Sequence, residues 1–172
     1  DSSWSTKEVL EYINVATNAI TNEVLITIPE GLWSKDIAKK IEEVTNVTAE
    51  ECLELWNNKE FLNRMIQKYE FLDESIFNSE YHIALEGYLY PDTYEFYKNS
   101  NPYDVIKKIL NRSNEVYNNE YEARAAQLGY TKNDVVILAS IIEKEAITID
   151  FSKVSAVLYN RLSNDMKLQV DS

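Results

Sequence analysis

One cysteine, Cys52, and one histidine, His82, are present among 172 residues. A single cysteine excludes an intrachain disulfide and a thiolate metal cluster. A single histidine, with no second His or Cys near it in sequence, gives no metal-ligand pair, and His82 is set aside. No apolar stretch is long enough to span a bilayer and none has the form of a signal-peptide core. Asp1 rather than Met opens the chain, and Leu168 to Ser172 carry no turn or cap signal, so the sequence reads as an excised soluble piece. Basic residues are also scarce: 17 stand against 29 acidic ones, a formal net charge of −12 with no long block of one sign. Nucleic acid is excluded as a partner on that ground, because phosphate binding requires a basic face that releases counterions. Internal repeats and low-complexity segments are absent.

Aromatic residues, in contrast, are plentiful. Twelve tyrosines and three tryptophans argue against disorder. Their faces suit a packed core and, equally, the faces of sugar rings. The length has room for one ordinary domain, or for a small one beside a second.

The local signals alternate between helix and strand. Val9, Leu10, Ile13 and Ala16 or Thr17 predict a short amphipathic helix, and Glu23 to Ile28 predicts a strand ended by Pro29-Glu30-Gly31. Ser34 is expected to cap a helix with Ile37, Ala38 and Ile41 on its buried stripe, and Thr48-Ala49-Glu50-Glu51 is a capping box for the next. Phe61, Leu62, Met65 and Ile66 have helical spacing. From Leu85 to Phe96, aromatics alternating on either side of Pro91 predict a strand-turn-strand hairpin. Asn101-Pro102 starts a helix expected to run through Tyr117 toward Leu128 and to break at Gly129. Thr131, with Asp134 three residues on, caps the following helix, and a last one runs from Val154 to Leu162.

The helix after Thr131 is the most informative. Val135 to Ile142 is apolar on every face, which predicts a central, buried helix, and it then delivers Glu143-Lys144-Glu145. A carboxyl group carried to the edge of an apolar core is desolvated, and desolvation favours the neutral, proton-donating form that a general acid needs. Glu143 and Glu145 lie about 200° apart on a helix, so both cannot enter one cleft. Glu143 follows Ala139 and Val136, whose small side chains leave space above that face, whereas Glu145 follows Leu138 and Ile141. Spacing therefore favours Glu143. Against this stands the plainer reading, in which both are ordinary charges where a helix surfaces.

Four phrases, Leu85-Glu86-Gly87-Tyr88-Leu89-Tyr90-Pro91-Asp92-Thr93-Tyr94, Leu138 to Glu145, Tyr159-Asn160-Arg161-Leu162 and Met166 to Ser172, stand in an order and separation that resemble the endolytic murein transglycosylase, or YceG-like, family. Val24 to Glu42, with its Ile28-Pro29-Glu30-Gly31 turn, resembles the LysM-like unit that precedes the catalytic part in that family. The resemblance implies an α+β fold in three stretches: an N-terminal helical segment over residues 1–22, a LysM-like module with connecting helices over 23–83, and a partial, mainly helical catalytic domain with a short β-hairpin over 84–172. It implies cleavage between N-acetylmuramic acid and N-acetylglucosamine in nascent peptidoglycan, leaving a 1,6-anhydro end, with Glu143 as the single general acid and base. No metal or organic cofactor is called for.

In the same reading Glu86, Tyr88, Tyr90 and Asp92 line the cleft, unless they form a purely structural hairpin. Asn160 and Gln169 are amides suited to acetamido or hydroxyl groups, Arg161 holds Glu145 or a substrate carboxylate, and Glu145 and Asp171 are supporting substrate-side residues. The implied partners are glycan strands and cell-wall synthesis proteins. The parent is expected to be anchored in the cytoplasmic membrane by a preceding helix absent from this chain, with this region on the extracytoplasmic side. Two departures stand out. Ala146 replaces the family's usual Thr, and the family's catalytic domain continues beyond Ser172. The rival reading is a non-catalytic peptidoglycan-binding or scaffold protein that acts through the LysM-like unit.

Overall fold

The structure is a computed structural model and describes residues 5–8, 22–78, 82–117, 119–146 and 150–170. The helix expected around Val9 to Thr17 and the site residue Asp171 lie outside the described residues. Among the described residues, seven α-helices and a two-stranded antiparallel sheet form a mixed α+β fold. No helix there is long and apolar enough to cross a membrane.

Strand β1, Glu23–Thr27, pairs with β2, Thr93–Tyr97, so that Val24 faces Phe96 and Ile26 faces Tyr94. The two-residue period of a strand sends Ile26, Tyr94 and Phe96 into the core and leaves Leu25 and Tyr97 in solvent. This pairing corrects the expected hairpin: the segment from Leu85 to Phe96 does not fold back on itself. The reason lies in where its backbone groups are satisfied. Ser113 Oγ donates to the Tyr88 carbonyl at 2.7 Å and accepts the Tyr90 N–H at 3.2 Å, and Pro91 has no N–H to offer a partner strand.

Helix α1, Ser34–Val44, buries Ile37, Ala38 and Ile41 as its spacing predicts. Its cap differs from expectation, since Trp33 takes the cap position without a side-chain bond and Ser34 is buried inside the first turn. Helix α2, Ala49–Trp56, carries the expected Thr48–Glu51 capping box, and α3, Lys59–Lys68, buries Phe61, Leu62 and Met65. After a single 3-10 turn, Glu74–Phe77, and strand β2, helix α4 spans Pro102–Val116 behind an Asn101 cap. It stops earlier than predicted, and α5, Asn119–Gln127, is separate. Tyr117 leaves helical geometry (ψ 79°), packs its ring 6.2 Å from Phe71 and donates its hydroxyl to the Lys132 carbonyl at 3.3 Å. Helix α6 is Lys132–Glu145, with the predicted Thr131–Asp134 capping box, and α7 is Phe151–Ser163.

One core runs from β1 through α1, α2 and α3 to α4, and its fully enclosed side chains include Trp56, Phe61, Ile41, Leu85, Ile106 and Leu110. The apolar helix α6 is not its centre, contrary to expectation. Leu138 alone in α6 is buried, Val136 leans on the core, and Ile137 is 39% exposed. Its all-round hydrophobicity therefore serves two surfaces. One packs against Gly87 and α7, and the other borders an open cleft.

Candidate active site

Three segments, α6 among them, border one cleft. The first is the turn from Pro29 to Gly31, where Gly31 adopts φ +75°, a conformation that side-chain-bearing residues rarely take. A Cβ at Gly31 would stand 4.0 Å from Glu143 Cδ and Oε2 and 3.9 Å from Lys144 Nζ, so the turn's backbone faces the helix tip directly. Lys144 Nζ donates to the Gly31 carbonyl at 2.9 Å and ties the two together.

The second segment contains Glu86 and Gly87. Both Glu86 oxygens accept the Ser34 N–H, at 3.2 and 3.1 Å, which supplies the α1 cap that Trp33 does not. Gly87 adopts φ +82°, and a Cβ there would come within 2.6 Å of Val136 Cγ1. Only a glycine lets α6 approach this closely. The third segment is α6 itself. It is also tied to the aromatic stretch by Tyr88, whose buried hydroxyl donates to Asn133 Oδ1 at 3.1 Å.

Between these segments lies a cleft of about 470 Å³, bordered by Gly31, Trp33, Glu86, Gly87, Ser140, Glu143 and Lys144. An adjoining hollow of about 400 Å³ extends it past Glu30, Ala139 and Tyr90. Glu143 borders both and is exposed, so it stands in an open cleft rather than at the rim of a closed core. Glu145 borders neither and faces solvent at the helix end, as the angular spacing of the two glutamates requires.

The remaining candidates divide. Glu86 and Tyr90 share the cleft with Glu143, whereas Tyr88 is buried beside it. Asp92 is engaged elsewhere: its carboxylate accepts the Thr93 N–H at 2.7 Å and Arg112 Nε at 2.6 Å, and these bonds, the Thr93 one foremost, hold it below the usual carboxylate range. The same Arg112 lies 5.6 Å over the Tyr90 ring. Asn160, Arg161 and Gln169 do not border the cleft. Arg161 turns not to Glu145 but to its own chain end, where Nη1 donates to the Leu168 carbonyl and to Gln169 Oε1 at 3.1 Å. Asn160 is exposed and accepts Asn164 Nδ2 on its carbonyl at 2.7 Å.

A family model described as the YceG-like family matches residues 1–172. The chain belongs to the YceG-like family. Its relatives include the endolytic murein transglycosylase of Bacillus subtilis (strain 168), 32% identical over an alignment of 151 positions that covers 85% of this chain and 41% of that protein. The Streptococcus pneumoniae D39 protein of the same name is 31% identical over an alignment of 178 positions, gaps included, that covers 97% of this chain and 32% of that one. A crystal structure of a YceG-like protein from Listeria monocytogenes superposes with a TM-score of 0.80 at 26% identity, covering 98% of this chain and 56% of that chain. This YceG-like chain thus spans less than half the length of the two transglycosylases.

Sequence reasoning missed Trp33, Gly87 and the Lys144–Gly31 bond as parts of this site. Two signals were there to be read. An isolated glycine inside an aromatic, strand-like run marks close backbone approach, and a tryptophan two residues after a Pro-x-Gly turn, just ahead of the next helix, has no periodic stripe to join.

Proposed function

We propose that this YceG-like chain carries the glycan-cleaving site of a lytic transglycosylase, with Glu143 as its single general acid and base. The observation that supports the reading best is the unequal state of the two carboxylates bordering the larger cleft. Glu86 is occupied on both oxygens by Ser34, whereas Glu143 faces the open space beside the Gly31 turn.

In this mechanism Glu143 gives its proton to the glycosidic oxygen as the bond from the muramyl C1 breaks, and the departing N-acetylglucosamine keeps that proton on its 4-hydroxyl. An oxocarbenium-like centre is left at C1. The same sugar's 6-hydroxyl attacks C1 and passes its proton to the Glu143 carboxylate, which closes a 1,6-anhydro ring and restores the acid. One carboxyl group suffices because an internal hydroxyl replaces the water that a hydrolase would activate. The substrate is nascent peptidoglycan, reached on the extracytoplasmic side by a membrane-anchored parent. The stretch over 23–83 acts as a LysM-like module, and residues from 84 onward supply the acid.

The test is Glu143→Gln in the full-length parent, assayed for anhydro-ended products on purified glycan strands. The expected result is loss of product by at least a hundredfold with glycan binding retained. Undiminished product sinks the catalytic assignment and leaves the non-catalytic glycan-binding reading.

A further inference from the structure

Bond cleavage at Glu143 makes no use of Trp33, yet this residue borders the same cleft. It is 53% exposed, whereas tryptophans are on average highly buried. Its own backbone holds it out. At φ −74° and ψ 149° it precedes α1, and its carbonyl accepts the N–H groups of Asp36 at 2.9 Å and Ile37 at 3.0 Å. The core-facing places that follow are taken by Ser34 and Ile37, so the indole has no route inward.

Two ammonium groups accompany the ring, Lys35 Nζ at 5.7 Å and Lys144 Nζ at 5.8 Å from its centroid. Lys144 is fixed there by the Gly31 carbonyl. The carboxylates of the cleft are Glu86 and Glu143 in its larger part, among Leu32, Val136, Ile137 and Ile141, and Glu30 in the adjoining hollow. In a chain of net charge −12, these two ammonium groups make the surroundings of Trp33 the place where an anionic group is received.

We propose that Trp33 is the platform on which one pyranose of the glycan lies, and that Lys35 and Lys144 select a sugar bearing a carboxylate, on its lactyl group or on an attached peptide, over a neutral one. The proposal rests on the glycan-cleaving reading of the site and names its discriminating subsite. An indole offers a broad apolar surface to the C–H face of a pyranose while the ring hydroxyls stay in water. Two lysines recognise a carboxylate as point charges, so the selectivity falls with ionic strength.

The test is calorimetric titration of the Glu143→Gln chain with two probes: peptide-free glycan strands, whose muramyl carboxylates are free, and neutral β-1,4-linked N-acetylglucosamine oligomers. The carboxylate-bearing strands are expected to bind about tenfold more tightly. Trp33→Ala weakens both probes about tenfold and Trp33→Phe restores most of the loss, whereas Lys35→Gln, or about 0.5 M salt, removes only the preference. Unchanged affinities in Trp33→Ala, or equal affinities of the parent for the two probes, overturn the proposal. Lys35 is exposed, so its variant remains informative if Trp33→Ala fails to fold. Failure of the cleavage reading looks different: Trp33-dependent binding persists, while the chain with Glu143 intact releases no anhydro-ended product.

Discussion

Both carboxylate oxygens of Glu86 accept the backbone N–H of Ser34, 52 residues earlier in the chain. A helix whose first turn lacks a side-chain cap is thus closed by a charged acceptor from a distant segment, which also places negative charge at the positive end of α1. Glu86→Ala is expected to lower stability by about 1–2 kcal/mol and Glu86→Gln by roughly half as much, because the amide oxygen still accepts. Urea midpoints measure this. Lowered activity at an unchanged midpoint contradicts the capping role and points to substrate contact instead.

Gly87 and Val136 set how closely α6 approaches the aromatic segment. Gly87→Ala meets both a positive φ and a contact at 2.6 Å, and is expected to cost about 2–4 kcal/mol. Adding Val136→Ala removes the contact but not the φ strain. A double-mutant cycle on unfolding free energies should therefore show partial recovery, and strict additivity would refute the close approach.

Asp92 and Arg112 link the β2 side of the cleft to α4. Because bonds to Thr93 and Arg112 lower the folded pKa of Asp92, its contribution to stability is complete above the unfolded value of about 3.9 and is lost as pH falls through the lower, folded value. Thermal midpoints of the parent should therefore drop below about pH 4 more steeply than those of Asp92→Asn. Parallel curves for the two proteins count against the assignment.

The helical elements were largely legible because their signals are local. The Thr48–Glu51 and Thr131–Asp134 capping boxes and the Asn101-Pro102 start each act within one turn, and each helix begins where those residues place it. Strand pairing was not legible. Thr93–Tyr97 has alternation that fits any partner, and it pairs with Glu23–Thr27 while Ser113 holds the backbone groups of Tyr88 and Tyr90. The end of α4 is not legible for a similar reason, since Tyr117 is held outside the helix by Phe71 and Lys132.

For the site, the spacing of Glu143 and Glu145 on a helix was enough to separate them, because angular position follows from helix geometry alone. Periodicity cannot tell which partners a polar side chain meets. Glu86, Asp92 and Arg161 stood equal as substrate-side candidates, and the fold engages them with Ser34, Arg112 and the Leu168–Gln169 backbone and side chain. The sequence by itself determined most helix starts, the two capping boxes and the presence of a carboxylate at the tip of α6, all consequences of interactions within a few residues. Only the tertiary structure decided that α6 borders an open cleft instead of filling a core, and that Trp33 and the Gly31 turn stand opposite Glu143. Those facts depend on contacts between segments far apart in the chain, and such contacts leave no period in the sequence.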